Sequence, residues 1–227
     1  MAPGQGFPAL VVLTWLGRAG SRAIRGQQWH HVAVNLRLFV ALEPPDLVRH
    51  RLSTLKAELQ RAAGRGSGDV KWVAIDNVHL TLQFLGAVPE ERVDPVKVAV
   101  ATAAAEARPL HLELRGAGGF PSGRRARVLW AGVGGEVAQL TALVAALGRR
   151  LGPLGFAAEE RPFSPHITLG RSRDPRGAPG LAAALALAAE SPGAPWRATE
   201  VVLFQSFLSP KGPRYEALAR AALGTPG

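Results

Sequence analysis

The sequence predicts an α+β protein built from two similar halves, and three observations carry that reading. Short apolar runs of strand length interleave with longer stretches whose apolar residues recur every three or four positions. The pattern His, apolar, Thr, apolar occurs twice, as His79-Leu80-Thr81-Leu82 and His166-Ile167-Thr168-Leu169, 87 positions apart (166 − 79). The chain has 227 residues, 47% of them hydrophobic, and no cysteine, which is enough to bury a core of ordinary size without disulfides.

Taken in order, Leu36 to Leu42 is a strand, broken by Glu43-Pro44-Pro45, with Asp46 placed to cap a helix. Val48, Leu52, Leu55 and Leu59 then mark the buried stripe of that helix, which ends before the loop from Gly64 to Gly68. Lys71 to Ala74 and Val78 to Leu85 read as two further strands, and Glu90 to Arg108 as an Ala-rich helix with Pro95 tolerated near its first turn. Leu110 to Leu114 and Arg127 to Val133 are strands, with Gly116 to Arg125 as the loop between them. In the second half, Val137, Leu140, Val144, Leu147 and Leu151 form a helical stripe and Phe163 to Gly170 carries the second tetrad. A short helix falls around Leu181 to Ala189, and Val201 to Leu208 is the last clear strand.

Residues 1–35 hold three Arg and no acidic residue, and read as an extension outside the fold; 36–220 form one bilobal domain and 221–227 a tail. The apolar run from Pro8 to Leu16 is far shorter than the ~20 residues a membrane span needs, and no cation precedes it as in a secretion signal, so no membrane association is expected. The lack of cysteine excludes zinc-thiolate sites and thiol nucleophiles and leaves the cytoplasm as the default location. The expected state is a monomer.

The doubled tetrad is the chemical signal. In a strand, His and Thr two residues apart share one face while the intervening apolar residues enter the core. With 6 His and 8 Thr in the chain, about 0.02 such pairs arise by chance. Two imidazoles titrating near neutral pH divide the tasks of base and acid, and Thr81 and Thr168 offer neutral hydroxyl donors to phosphate oxygens, with Arg171 as a nearby cation. Spacing alone does not say which His does which. No His-x-x-x-His helix or acidic ligand cluster accompanies either tetrad, so neither metal nor cofactor is expected. A net charge of +10, carried mostly by Arg, favours a polyanionic partner such as RNA or a nucleotide, although a GC-rich genome would give the same bias.

Other residues are weighed on both sides. Phe84 departs from the strand parity of Thr81 and either stacks on a base or plugs the core, with the core preferred. Arg124, Arg125 and Arg127 line an RNA groove or form a solvated turn. Lys211, Arg214 and Tyr215 contact nucleotide phosphate after the last strand, or in the case of Tyr215 simply pack. His50 and His111 are surface residues, and Trp72 and Trp130 belong to the core or the cleft wall.

The two tetrads, with Leu38-Phe39-Val40-Ala41-Leu42 upstream, Phe84-Leu85-Gly86 after the first and Gly170-Arg171 after the second, resemble the two-histidine (2H) phosphoesterase superfamily. The closest likeness is to its bacterial and archaeal RNA 2′,3′-cyclic phosphodiesterases, also called 2′-5′ RNA ligases. The resemblance implies two antiparallel sheets flanking a central cleft, helices outside, and pseudo-twofold symmetry. It further implies that His79 donates a proton to the ribose 3′ oxygen and His166 accepts one from water, so that an RNA 2′,3′-cyclic phosphate becomes a 2′-phosphate. The alternatives are 2′-5′ ligation by the same site in reverse and a non-catalytic RNA- or nucleotide-binding module.

Overall fold

A computed structural model describes residues 35–64, 69–121, 125–157, 159–188, 193–210 and 212–224. The expected extension before the first strand, together with Arg124 and Lys211, lies outside the described residues.

The first half runs β1 (Asn35–Leu42), α1 (Asp46–Ala63), β2 (Val70–Trp72), β3 (Leu80–Pro89), α2 (Val93–Ala105) and β4 (Leu110–Phe120). The second runs β5 (Val128–Gly135), α3 (Val137–Leu151), β6 (His166–Ser172), α4 (Ala182–Ala188), β7 (Pro195–Ala198), β8 (Glu200–Phe207) and β9 (Arg214–Ala222). All pairings are antiparallel. Hydrogen bonding follows the order β7-β4-β5-β6-β3-β1-β8-β9, with β2 added on β6, yet β3 and β6 meet through the single pair Leu80↔Ile167. That one contact joins two lobes: β3-β1-β8-β9 and β6-β5-β4-β7. The expected architecture of two antiparallel sheets with helices outside is thus found, with the sheets continuous at one point.

Each half repeats strand, helix, tetrad strand, helix, strand, and the closing strand of each crosses over: β4 pairs with β5 in the second lobe, and β8 with β1 in the first. β1 reads as continuously apolar because it is central, with Leu38 to Leu42 buried. The stripes Val48, Leu52, Leu55, Leu59 of α1 and Leu140, Leu143, Leu147, Leu151 of α3 all enter the main core. Leu80, Leu82, Ile167 and Leu169 join the same core from the tetrad strands. A second, smaller cluster of Phe39, Ala41, Val202 and Phe204, with Tyr215 against it, occupies the opposite face of the first lobe.

The differences from the sequence reading have physical causes. Asp46 makes no capping bond; Pro45 is the N-cap, and Asp46 sits in the first turn, where its charge suits the helix dipole. The glycines expected to form a loop continue β4 to Phe120, because the indole of Trp130 lies across them: a Cβ at Gly118 would stand 2.4 Å from Trp130 Cη2. β7 and β9 carry no clear signal in the sequence. β9 is a half-exposed edge strand rich in Ala, Arg and Glu, residues with little strand propensity, and its pairing with β8 overrides that preference. It runs to Ala222, and Leu223 beyond it is buried. Among the described residues no helix is long and apolar enough to cross a membrane.

Candidate active site

The two tetrads meet where the lobes touch. Leu80 and Ile167 are 1% and 0% exposed, so their neighbours His79, Thr81, His166 and Thr168 project from the other face, into the cleft. The antiparallel register of that pair sets His79 across from Thr168 and Thr81 across from His166. Each imidazole is oriented identically: His79 Nδ1–H donates to the Asn77 carbonyl at 2.8 Å, and His166 Nδ1–H to the Ser164 carbonyl at 2.7 Å. A carbonyl only accepts, so Nδ1 carries the proton in both rings and Nε2 is left for chemistry. The Asn77 amide in turn donates to the Pro213 carbonyl at 2.8 Å, tying the approach to β3 to the segment before β9.

Aromatic rings hold both imidazoles. His79 lies 4.7 Å from Phe39 and takes Tyr215 edge-on at 5.2 Å, while His166 takes Phe120 edge-on at 5.1 Å. Burial holds the His79 imidazole below its ordinary value; the bond to Asn77 opposes that, the charge of Arg171 adds to it, Glu43 opposes and His166 adds. Burial likewise raises the Tyr215 phenol, against the opposing charge of Arg171. Arg171 therefore acts on two groups of the first lobe from its place on the second.

Two β-bulges complete the cleft floor. On β3 the register slips at Leu82, so that Gln83 faces Val40 and Phe84 faces Phe39; on β6 it slips at Leu169, so that Arg171 faces Val128. Each slip turns the residue three beyond the tetrad Thr onto the cleft face. Phe84 and Arg171 are separated by the same 87 positions as the two His, and are thus equivalent under the pseudo-twofold. The equivalence is geometric only, since one position carries a ring and the other a cation.

The model of the 2′-5′ RNA ligase superfamily matches residues 38–206. The chain belongs to that superfamily. It is 32% identical over 173 residues to the RNA 2′,3′-cyclic phosphodiesterase of Aeropyrum pernix, covering 75% of this chain and 96% of that one. Identity to the protein of the same name from Archaeoglobus fulgidus is 32% over 183 residues, 81% and 98% of the two chains. Among solved structures, TT0787 of Thermus thermophilus superposes with a TM-score of 0.67 at 30% identity over 84% of this chain and 99% of that one. E. coli LigT complexed with 3′-AMP superposes at 0.62, with 30% identity over 83% and 98%.

Within this superfamily member the structure gathers His79, Thr81, His166, Thr168, Phe84, Arg171 and Tyr215 around one cleft. Phe84 is 57% exposed, so the preferred core placement is corrected: the bulge at Leu82 turns it outward. Tyr215, placed by the sequence beyond the last strand, stands on β9 and packs against Phe39 and His79. Arg125 and Arg127 are not on the cleft floor. They line, with Pro121, Pro175 and Arg176, a separate cavity of about 510 Å³ whose Pro121 follows Phe120 in the chain. Sequence reasoning missed Phe39, Phe204 and Phe120 as walls of the site: the first two lie in runs that read as ordinary strand, and Phe120 lies in the stretch read as a loop. Among the described residues no three His, Cys, Asp or Glu side chains gather to hold a metal ion.

Proposed function

We propose that the protein is an RNA 2′,3′-cyclic 3′-phosphodiesterase. The observation that carries it is the pair of imidazoles with matched tautomers, each beside a Thr hydroxyl and together beside one cation, at the junction of two lobes. His166 Nε2 takes a proton from water as the water oxygen bonds to phosphorus. The P–O3′ bond breaks, and His79 Nε2–H protonates the departing 3′ oxygen, leaving a 2′-phosphate. Thr81, Thr168 and Arg171 donate to the phosphate oxygens that gain charge. In the free protein burial, the larger influence, and Arg171 both disfavour charged His79; a bound phosphate anion beside the ring acts in the opposite sense, toward the charged form that donates the proton. Phe84 offers an exposed face for the terminal base, Tyr215 walls the same side, and Arg125, Arg127 and Lys211 serve the rest of the RNA. The relatives' shared name and the nucleotide held by E. coli LigT support this substrate class. The reading includes a monomer acting in the cytoplasm.

The test is turnover, in excess chelator, of a short RNA ending in 2′,3′-cyclic phosphate, with the position of the product phosphate resolved. Wild type is expected to give a 2′-phosphate, and His79→Ala or His166→Ala to lose about 10²- to 10⁴-fold in kcat. Binding without turnover, or turnover only with added metal, overturns the proposal.

A further inference from the structure

Lys71 has no part in the chemistry above, yet β2 places it beside that chemistry. It pairs directly with Arg171 across β2 and β6, so the two side chains share the cleft face with Cβ atoms roughly 4.5–5.5 Å apart. Like charges so placed repel, and neither cation has an acidic partner among the described residues. β2 is only three residues long: Val70 is buried, Trp72 packs against the core, and Lys71 between them is exposed. Its docking is close. A Cβ at Gly170 would stand 2.6 Å from Val70 Cγ1 and 3.3 Å from Trp72 Cε3, so the strand seats only because residue 170 has no side chain.

The register extends this into a row across the second lobe: Phe120, Val128, Arg171, Lys71. The Phe120 end touches His166, and Arg171 acts electrostatically on His79 and Tyr215. Lys71, on the neighbouring strand, lies one step outward from Arg171 on the same face. The arginine-lined cavity is a weaker candidate for this position, because alternation from Val128 turns Arg127 to the other face and Arg176 is held bidentate by Asp174.

We propose that Lys71 binds the internucleotide phosphate preceding the terminal cyclic nucleotide, so that the cleft selects single-stranded RNA of two or more nucleotides over a cyclic mononucleotide. This rests on the phosphodiesterase reading. A flexible ammonium suits a phosphate whose exact position varies with the chain, while the guanidinium of Arg171 faces the reacting group.

The experiment compares kcat/KM for uridine 2′,3′-cyclic phosphate and for a trinucleotide ending in 2′,3′-cyclic phosphate, in wild type, Lys71→Met and Lys71→Arg. Lys71→Met is expected to lower the trinucleotide-to-mononucleotide ratio roughly tenfold, through KM, as loss of one charge-assisted hydrogen bond. Lys71→Arg is expected to restore most of it. The slope of log(kcat/KM) for the trinucleotide against log salt should become shallower by about 0.7, one phosphate contact on a single strand. Equal losses on both substrates, or none on either, overturn the proposal. Failure of wild type to turn over either substrate would instead overturn the phosphodiesterase reading, and equilibrium binding of the two nucleotides to wild type and Lys71→Met would then decide the role of Lys71.

Discussion

Acidification should destabilise this protein through His79 in a way that His79→Gln removes. Its imidazole is held below the ordinary value of about 6.5 by burial, beyond what the bond to Asn77 restores. The unfolded chain therefore binds a proton at His79 at a pH where the folded protein does not. Stability is unaffected by this residue well above pH 6.5, falls as pH drops through 6.5 toward the folded value, and is level again below it. One proton difference corresponds to at most about 1.4 kcal/mol per pH unit, against a total stability of order 5–15 kcal/mol. Urea unfolding of wild type and His79→Gln at several pH values between 8 and 5 isolates the effect, because the other titrating groups largely cancel. The stability difference between the two proteins should be constant above pH 7.5 and should move against wild type below 6.5. Parallel curves would refute the argument. A wild type that gains on acidification relative to His79→Gln would mean that the bond to Asn77 and the attraction to Glu43, rather than burial, govern the ring.

Two further outcomes follow from the cleft floor. Gly118→Ala puts a methyl group 2.4 Å from Trp130 Cη2, so the indole must shift; a loss of about 1–3 kcal/mol in urea unfolding is expected, and an unchanged midpoint would show that the ring moves freely. Phe84→Ala removes an exposed ring and should leave thermal stability nearly intact while raising KM for an RNA substrate in line with about 1–3 kcal/mol of base stacking. An unaltered KM would remove Phe84 from the substrate site.

The parts of the site legible in the sequence are those that obey a strict period of two. His79, Thr81, His166 and Thr168 fall there because their strands are regular as far as the Thr, and the buried Leu and Ile between them mark the opposite face. Beyond the Thr the period breaks. The slips at Leu82 and Leu169 reverse parity, which is why alternation misplaces Phe84 and does not yield the facing of Arg171. Lys71 is invisible for a different reason: its importance is its pairing with a residue 100 positions away (171 − 71), which no local pattern encodes. The helices are legible because their stripes are long and amphipathic, whereas β9 is not, because an Ala- and Arg-rich edge strand looks locally like a helix.

The crossing of β4 and β8 between lobes has a consequence for synthesis on the ribosome. The second lobe draws β4, β5 and β6 from one unbroken stretch of chain and can assemble as it emerges. The first lobe cannot, since β1, made at the outset, pairs with β8, which is made near the end. At typical elongation rates of about 5–20 residues per second, β1 waits roughly 10–30 seconds with its apolar edge from Leu38 to Ala41 open to any passing strand. The nascent protein thus carries its greatest risk of aggregation at the strand that later supports His79, and a chaperone holding the first forty or so residues of the domain would act at the point of need.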